Sequence, residues 1–108
     1  MATKQIVDNF KNTIVDTVQV AFSATVPVVI EAFTATNNST VNANYKAYIV
    51  SASGVEQPQV PFTIIVWGDN DYGQGLANQV IPAGGYLKVE SSALDSIYFT
   101  VSGREVTG

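Results

Sequence analysis

Hydrophobic and polar residues alternate with a period of two along most of this chain. The clearest stretch is residues 41–50, in which one set of positions holds Val41, Ala43, Tyr45, Ala47 and Ile49 and the other holds Asn42, Asn44, Lys46, Tyr48 and Val50. Successive side chains of a β-strand point to opposite faces, so one set should enter a core while the other meets water. The alternation therefore predicts Tyr45 in the core and Tyr48 at the surface.

Turn-forming residues divide the chain into short segments, which is typical of a β-sandwich or barrel. Besides residues 41–50, we predict strands within 13–22, 26–35, 60–67, 76–81 and 86–91, and a last one from 97 towards 104–106. This makes about seven strands. The predicted fold is all-β: one antiparallel β-sandwich domain, immunoglobulin-like or jelly-roll-like, over residues 12–108.

Residues 1–11 are predicted to form a short N-terminal arm. Val7, Phe10 and Ile14 fit either one amphipathic turn or an extended segment. Such a short arm cannot bury its apolar residues alone, so Ile6, Val7 and Phe10 are candidates for ordering on a neighbouring protein.

Residues 60–67 are apolar on both faces of the predicted strand. Val60, Phe62, Ile64 and Val66 alternate with Pro61, Thr63, Ile65 and Trp67. A two-layer sandwich covers only one face of each strand. We therefore predict that the second face is a protein interface.

The low charge of the chain strengthens this prediction. Charged residues make up 13% of the 108 positions and hydrophobic residues 46%, whereas about 25% charged residues is usual. Such a domain tends to expose apolar surface, which commonly marks a partner interface.

The net charge is −4 and the five cations are widely scattered, which argues against nucleic-acid binding.

The residues for most catalytic chemistry are missing. Without Cys and His the chain has no disulfide, no thiolate zinc site and no histidine base. Its glutamates show no cleft signature and no S-x-x-K spacing occurs. We predict a non-enzymatic protein without a cofactor.

No membrane or export segment is recognisable. No apolar run approaches the roughly 20 residues of a membrane-spanning helix, and Asp8, Asn9 and Lys11 interrupt the N-terminal segment. We expect the protein to remain in the compartment where it is made.

The loop at residues 68–75 carries Asp69 and Asp71 between glycines, which leaves two interpretations. Clustered oxygens suit calcium, but the EF-hand pattern fails, because Gly73 takes its fifth position and Val80 its twelfth. The other interpretation is a plain loop or a protein contact, because Asp and Asn favour turns. We predict no metal site.

Trp67 and Tyr72 flank this loop, and two roles remain open for them. Trp67 could close one end of the core, or both could be exposed contacts for a neighbouring subunit or a sugar. The complete set of predicted interface residues is Ile6, Val7, Phe10, Ile65, Trp67, Asp69, Asp71 and Tyr72.

Three segments resemble a known group of proteins. They are residues 34–39 (TATNNS) leading into 45–50 (YKAYIV), residues 80–87 (VIPAGGYL), and residues 97–106 (IYFTVSGREV). In this order they resemble small β-sandwich virion structural proteins of tailed bacteriophages. The resemblance covers roughly residues 13–106. The chain departs from the pattern at residues 91–96, where it lacks an L-x-A-G-D-x-I segment.

The resemblance implies a virion protein assembled in the host cytoplasm. The expected function is a capsid decoration (cement) protein, a dimer or trimer that binds the major capsid protein or another virion protein. The alternative is a neck, head-fibre or tail accessory module for host recognition, with glycans as its candidate ligands. The lack of an export signal argues against a cellular adhesion module.

Overall fold

The fold is built from nine β-strands in a computed structural model that describes residues 4–54, 58–73, 75–94 and 96–106. No helix occurs among these residues, so nothing in them could span a membrane as a helix. The strands are β1 Lys4–Phe10, β2 Gln19–Ser23, β3 Val28–Asn37, β4 Ala43–Val50, β5 Pro58–Ile65, β6 Asn70–Asp71, β7 Val80–Ile81, β8 Tyr86–Ser91 and β9 Ile97–Glu105.

The strands form two antiparallel sheets, which confirms the predicted all-β sandwich. The five-stranded sheet has the order β1-β9-β3-β6, with β7 also pairing with β3, and the four-stranded sheet has the order β2-β8-β4-β5. The strand count is nine rather than about seven, because β1 and the two-residue β6 were not counted as strands from the sequence. The strand β5 lies at one edge of the four-stranded sheet.

Three aromatic rings occupy the core between the sheets. Phe33 and Phe99 come from the five-stranded sheet and Tyr45 from the four-stranded sheet. Ring centroids are 6.0 Å apart for both contacts of Phe33 and 5.6 Å apart for Tyr45 and Phe99. Tyr45 is buried, as the alternation predicts. Aliphatic residues from β3, β4, β8 and β9 fill the space around the rings.

A β-bulge in β3 changes which side chains enter the core. Ile30 pairs with Gly103 while Ala32 pairs with Ser102, so Glu31 is an extra residue in the ladder. Simple alternation would place Phe33 opposite to Ile30, but both are buried. The extra residue exchanges the two faces of the strand for all positions after it.

The predicted N-terminal arm belongs to the sandwich. The strand β1 pairs with β9, Val7 is buried, and Ile6 and Phe10 pack against the core. Residues 4–10 are extended, which is one of the two alternatives, but they form a strand of the sandwich and not a separate arm. Residues 1–3 lie outside the described residues. Pairing with β9 supplies the burial that an isolated arm lacks.

Two predicted strands are shorter than the sequence indicates. The strand predicted within 13–22 begins only at Gln19, whose side-chain oxygen accepts the Thr13 amide at 2.7 Å and so stabilises a loop instead. The strand predicted at 76–81 is reduced to β7. Turn hydrogen bonds precede it, from the Leu76 amide to Gly73 and from the Gln79 amide to Leu76.

Tyr48 is more buried than predicted. It pairs with Lys88 on the outward side of the four-stranded sheet, but its exposed fraction is only 8%. Its hydroxyl donates a hydrogen bond to Glu90 at 3.0 Å. The ring therefore lies along the sheet surface instead of projecting into water.

Candidate protein-binding surface

The edge strand β5 and the residue after it expose three apolar side chains. Phe62, Ile64 and Val66 are 57%, 60% and 51% exposed, and we call them the β5 row. The sequence pattern predicts an uncovered apolar face on this strand, and the structure has one. That a protein covers it stays a prediction.

A bulge in β5 determines the composition of this row. Tyr45 pairs with Thr63 but Ala47 pairs with Val60, so β5 has one more residue than β4 between these pairs. Val60 is therefore buried although Phe62, two positions later, is exposed. The bulge therefore lies between the buried Val60 and the exposed row.

Two of the predicted interface residues are core residues. Ile65 is 2% exposed and pairs with Ala43 across the ladder, and Val7 is 3% exposed. The prediction was wrong for Ile65 because it selected the face of β5 that turns inward. It was wrong for Val7 because pairing of β1 with β9 could not be seen in the sequence.

The predicted interface residues do not form one cluster. Ile6 and Phe10 lie on β1 in the five-stranded sheet, whereas the β5 row belongs to the other sheet. Ile6 lines a separate cleft of about 330 Å³, together with Phe22, Val26 and Glu105. These residues therefore cannot be assigned to the same contact surface as the β5 row.

The backbone of β5 also has hydrogen-bonding groups available at the sheet edge. The Asn44 amide donates to the Ser92 hydroxyl at 2.9 Å, and its carbonyl accepts from the Ser92 amide at 3.0 Å. Both backbone groups of Asn44 thus point away from β5. Because Ile64 is the register partner of Asn44, the amide and carbonyl of Ile64 point away from β4, towards the open edge.

Exposed side chains continue beyond the end of β5. Trp67 is 59% exposed and Val41 is 58% exposed. The Trp67 amide donates to the side chain of Asn42 at 3.1 Å, which holds the two loops together. Of the two roles left open for Trp67, the structure excludes closing the core. Tyr72, at 68% exposed, is likewise a surface residue.

Asn37 fixes the position of this region, and sequence reasoning treated it only as part of a turn. Its fully buried side-chain amide donates to the carbonyls of Val41 and Ile65, both at 2.9 Å. Its backbone carbonyl accepts from the Gly68 amide at 2.9 Å. One residue therefore joins the end of β3 to both loops that carry Val41 and Trp67. The only sequence signal was the tendency of Asn to hydrogen-bond nearby backbone.

Asp71 contacts the core instead of pointing only to solvent. Its carboxylate accepts hydrogen bonds from the Tyr45 hydroxyl and, at 3.1 Å, from the Gly73 amide. This attaches the 68–73 loop to the core. Asp69 is exposed, and its carboxylate accepts the Asn70 amide at 2.9 Å. Within the described residues no three acidic side chains group closely enough to hold a metal ion.

The Tyr45 hydroxyl has a strongly raised pKa. Burial is the main cause, and the hydrogen bond to Asp71 and the negative charge of Asp71 add to it, while the Gly73 amide acts in the opposite direction. The neutral phenol is therefore the form that the folded protein stabilises.

The stability of the protein should therefore fall at alkaline pH. A tyrosine in the unfolded chain ionises near pH 10. Tyr45 therefore contributes its full stabilisation below that pH and loses it as the pH rises further. The loss should approach about 1.4 kcal/mol per pH unit. The free energy of unfolding, measured in urea between about pH 9 and 11, should therefore fall less steeply with pH in Tyr45→Phe than in the wild type. In the exposed variant Tyr72→Phe it should fall as steeply as in the wild type. Equal slopes in both variants would contradict the assignment.

Fold and surface together define a class: a small β-sandwich whose edge strand presents apolar side chains and open backbone groups. No protein-family model, no curated protein and no solved structure matches the chain.

Proposed function

We propose that this protein is a non-enzymatic virion structural protein, a decoration protein that binds the assembled head of a tailed bacteriophage. The observation that carries the proposal is the β5 row beside exposed Trp67. The resemblance of residues 13–106 to phage β-sandwich proteins supplies the kind of partner: the major capsid protein or another virion protein.

The proposal explains why apolar side chains remain in water. Covering apolar surface is worth about 25 cal/mol per Å², and large exposed side chains grouped together commonly mark a contact site. No residue from 58 to 67 is charged, so a partner could cover the strand without desolvating a charge. A protein that binds only the assembled head stabilises the head by mass action.

The proposed attachment site is β5 and not the N-terminus. Residues 4–10 form a strand of the sandwich, so deletion of residues 1–11 would remove an edge strand and disturb the fold. A point substitution on the β5 row is the cleaner experiment.

Phe62→Asp should weaken binding to heads by at least about tenfold, because a carboxylate would have to be desolvated at the contact. The measurement is co-sedimentation of purified protein with empty heads of the phage that carries the gene. The matched control is Val20→Asp, since Val20 is also an exposed apolar residue of an edge strand in the same sheet. Unchanged sedimentation of Phe62→Asp, or equal losses in both variants, would contradict the proposal.

The exposed aromatic residues favour one alternative, a host-recognition module that binds glycans at the neck, head fibre or tail. Trp67 and Tyr72 both lie at the surface around the 68–73 loop, and aromatic side chains are common in recognition surfaces. This alternative would be supported if the protein does not co-sediment with heads but binds sugar saturably. Copy number separates the positions, because decoration follows the capsid lattice whereas a neck or tail part forms a single ring.

A further inference from the structure

We propose that two copies of this chain pair through β5, antiparallel and about a two-fold axis at Ile64. The two four-stranded sheets would then form one eight-stranded sheet. The role of this dimer in head attachment rests on the proposed function, but the pairing itself does not.

The backbone at Ile64 suits this arrangement. Its amide and carbonyl point to the open edge, because its register partner Asn44 directs both of its own groups to Ser92. In an antiparallel ladder, such a residue exchanges two hydrogen bonds with the residue directly opposite. If that residue is Ile64 of a second copy, each copy donates one bond and accepts the other.

The side chains of the β5 row are complementary to themselves. With Ile64 on the axis, Phe62 of one copy lies opposite Val66 of the other, and Ile64 lies opposite Ile64. Each exposed apolar side chain of the row therefore meets another apolar side chain on the same face. A two-fold contact requires this property, because the same patch is used by both copies.

The part of β5 around Ile64 lacks the features that commonly prevent edge-to-edge pairing. Edge strands are usually protected by charged residues, prolines or bulges. No charge occurs from residue 58 to 67, and Pro58, Pro61 and the bulge between Val60 and Thr63 all precede Ile64, the centre of the proposed ladder. Two-fold pairing would place Pro61 opposite Trp67, beyond the ladder, because the Val66 carbonyl already accepts from the Asp69 amide and the Trp67 amide already donates to Asn42. The missing amide of Pro61 therefore costs the ladder nothing.

The other long edges of the sandwich do protect themselves. The strand β1 carries exposed Lys4 and Asp8, and β2, five residues long, is interrupted by a register shift between Val20 and Phe22. The charge of −4 opposes contact between copies over most of the surface. An uncharged edge is where such a chain meets its own copy at the lowest electrostatic cost.

The dimer has a consequence for binding. It would place two β5 rows side by side on the same face of the continuous sheet. Both rows would be presented to a capsid partner together, by one rigid element. Such a two-fold surface fits best where two capsid subunits are themselves related by symmetry.

Sedimentation velocity of the full chain over a concentration series tests the pairing. Wild-type protein should form dimers. Ile64→Lys and Ile64→Glu should each weaken dimerisation by at least about tenfold, because like charges directly opposite each other are destabilising. An equimolar mixture of the two variants should recover dimers through opposite charges at the axis. Val20→Lys, on the opposite edge of the same sheet, should dimerise like wild type.

Monomeric wild-type protein at high concentration would overturn the pairing. So would dimers of Ile64→Lys as tight as those of wild type, or failure of the mixed variants to recover dimers. Head binding measured in parallel separates the two proposals. Dimers that do not bind heads contradict the proposed function alone, and monomers that bind heads contradict the pairing alone.

Discussion

Replacing Phe99 with alanine should lower the free energy of unfolding by about 3–5 kcal/mol. Phe99 is fully buried, and its ring lies 6.0 Å from that of Phe33 and 5.6 Å from that of Tyr45. The substitution removes the contacts of one ring and leaves a cavity that the two rigid sheets cannot fill by collapsing. Since a domain of this size is stable by only about 5–15 kcal/mol, the variant should be marginally folded.

Urea unfolding followed by circular dichroism measures this loss, and Phe62→Ala provides the matched control. The same side chain is truncated there, but at an exposed position of the β5 row. The control should differ from wild type by about 0.5 kcal/mol or less. If Phe99→Ala and Phe62→Ala lower the free energy of unfolding equally, then Phe99 is not a core residue and Phe62 a surface residue.

Alternation predicts this fold well where strands pair without bulges. The strand predicted at 86–91 is β8, with the same bounds, and its inward residues Leu87 and Val89 are fully buried. The register of β8 with β4 is continuous from Tyr45 to Val50. Along such an uninterrupted ladder, a period of two assigns every side chain to the correct face of the sheet.

Bulges are the reason that the same rule fails elsewhere. One extra residue at Glu31 brings Phe33 inward, and another between Val60 and Thr63 leaves Phe62 outside. The bulge at Glu31 carries no sequence signal, whereas the bulge in β5 contains Pro61, a residue type that strands tolerate at edges and bulges. A one-residue shift exchanges faces, so Ile65 was predicted at the surface although it is buried.

Long-range pairing is the second limit of sequence reasoning. From the sequence, the apolar residues of β1 predict a short N-terminal arm. Their partner β9 begins only at Ile97, too far along the chain for a local pattern to reveal the pairing. Likewise the Tyr45–Asp71 hydrogen bond joins two residues from different sheets, across a sequence separation of 26. Local patterns identify which residues need a partner, whereas the fold determines which partner they obtain.

The candidate site lies between these two cases. The low charge of the chain and the two-sided apolar strand were visible in the sequence, and they indicated uncovered surface on residues 60–67. What the sequence could not supply was the direction of the Ile64 backbone groups, which depends on the contacts of Asn44 with Ser92. The open edge is therefore a property of the assembled sheet.

Gly73→Ala should lower the free energy of unfolding by about 2–5 kcal/mol, the sum of about 1–2 kcal/mol from the backbone conformation and about 1–3 kcal/mol from overpacking. Gly73 has φ = 57°, a backbone conformation that alanine adopts only with strain. A Cβ atom there would also overlap the ring of Phe33, reaching 2.9 Å from Cε1. The ring belongs to the core cluster, and because protein interiors are close-packed, it can move aside only at a cost.

Gly68→Ala separates the two effects, because Gly68 has φ = 76° but no atom lies within 4 Å of its added Cβ. Gly68→Ala should therefore cost only the conformational part, about 1–2 kcal/mol. The excess cost of Gly73→Ala then measures how tightly the loop is packed against Phe33. The Gly73 amide also binds Asp71, the acceptor of the Tyr45 hydroxyl. Equal costs for the two substitutions would mean that the loop is not anchored in the core at Gly73, and the position of Tyr72 would lose its structural basis.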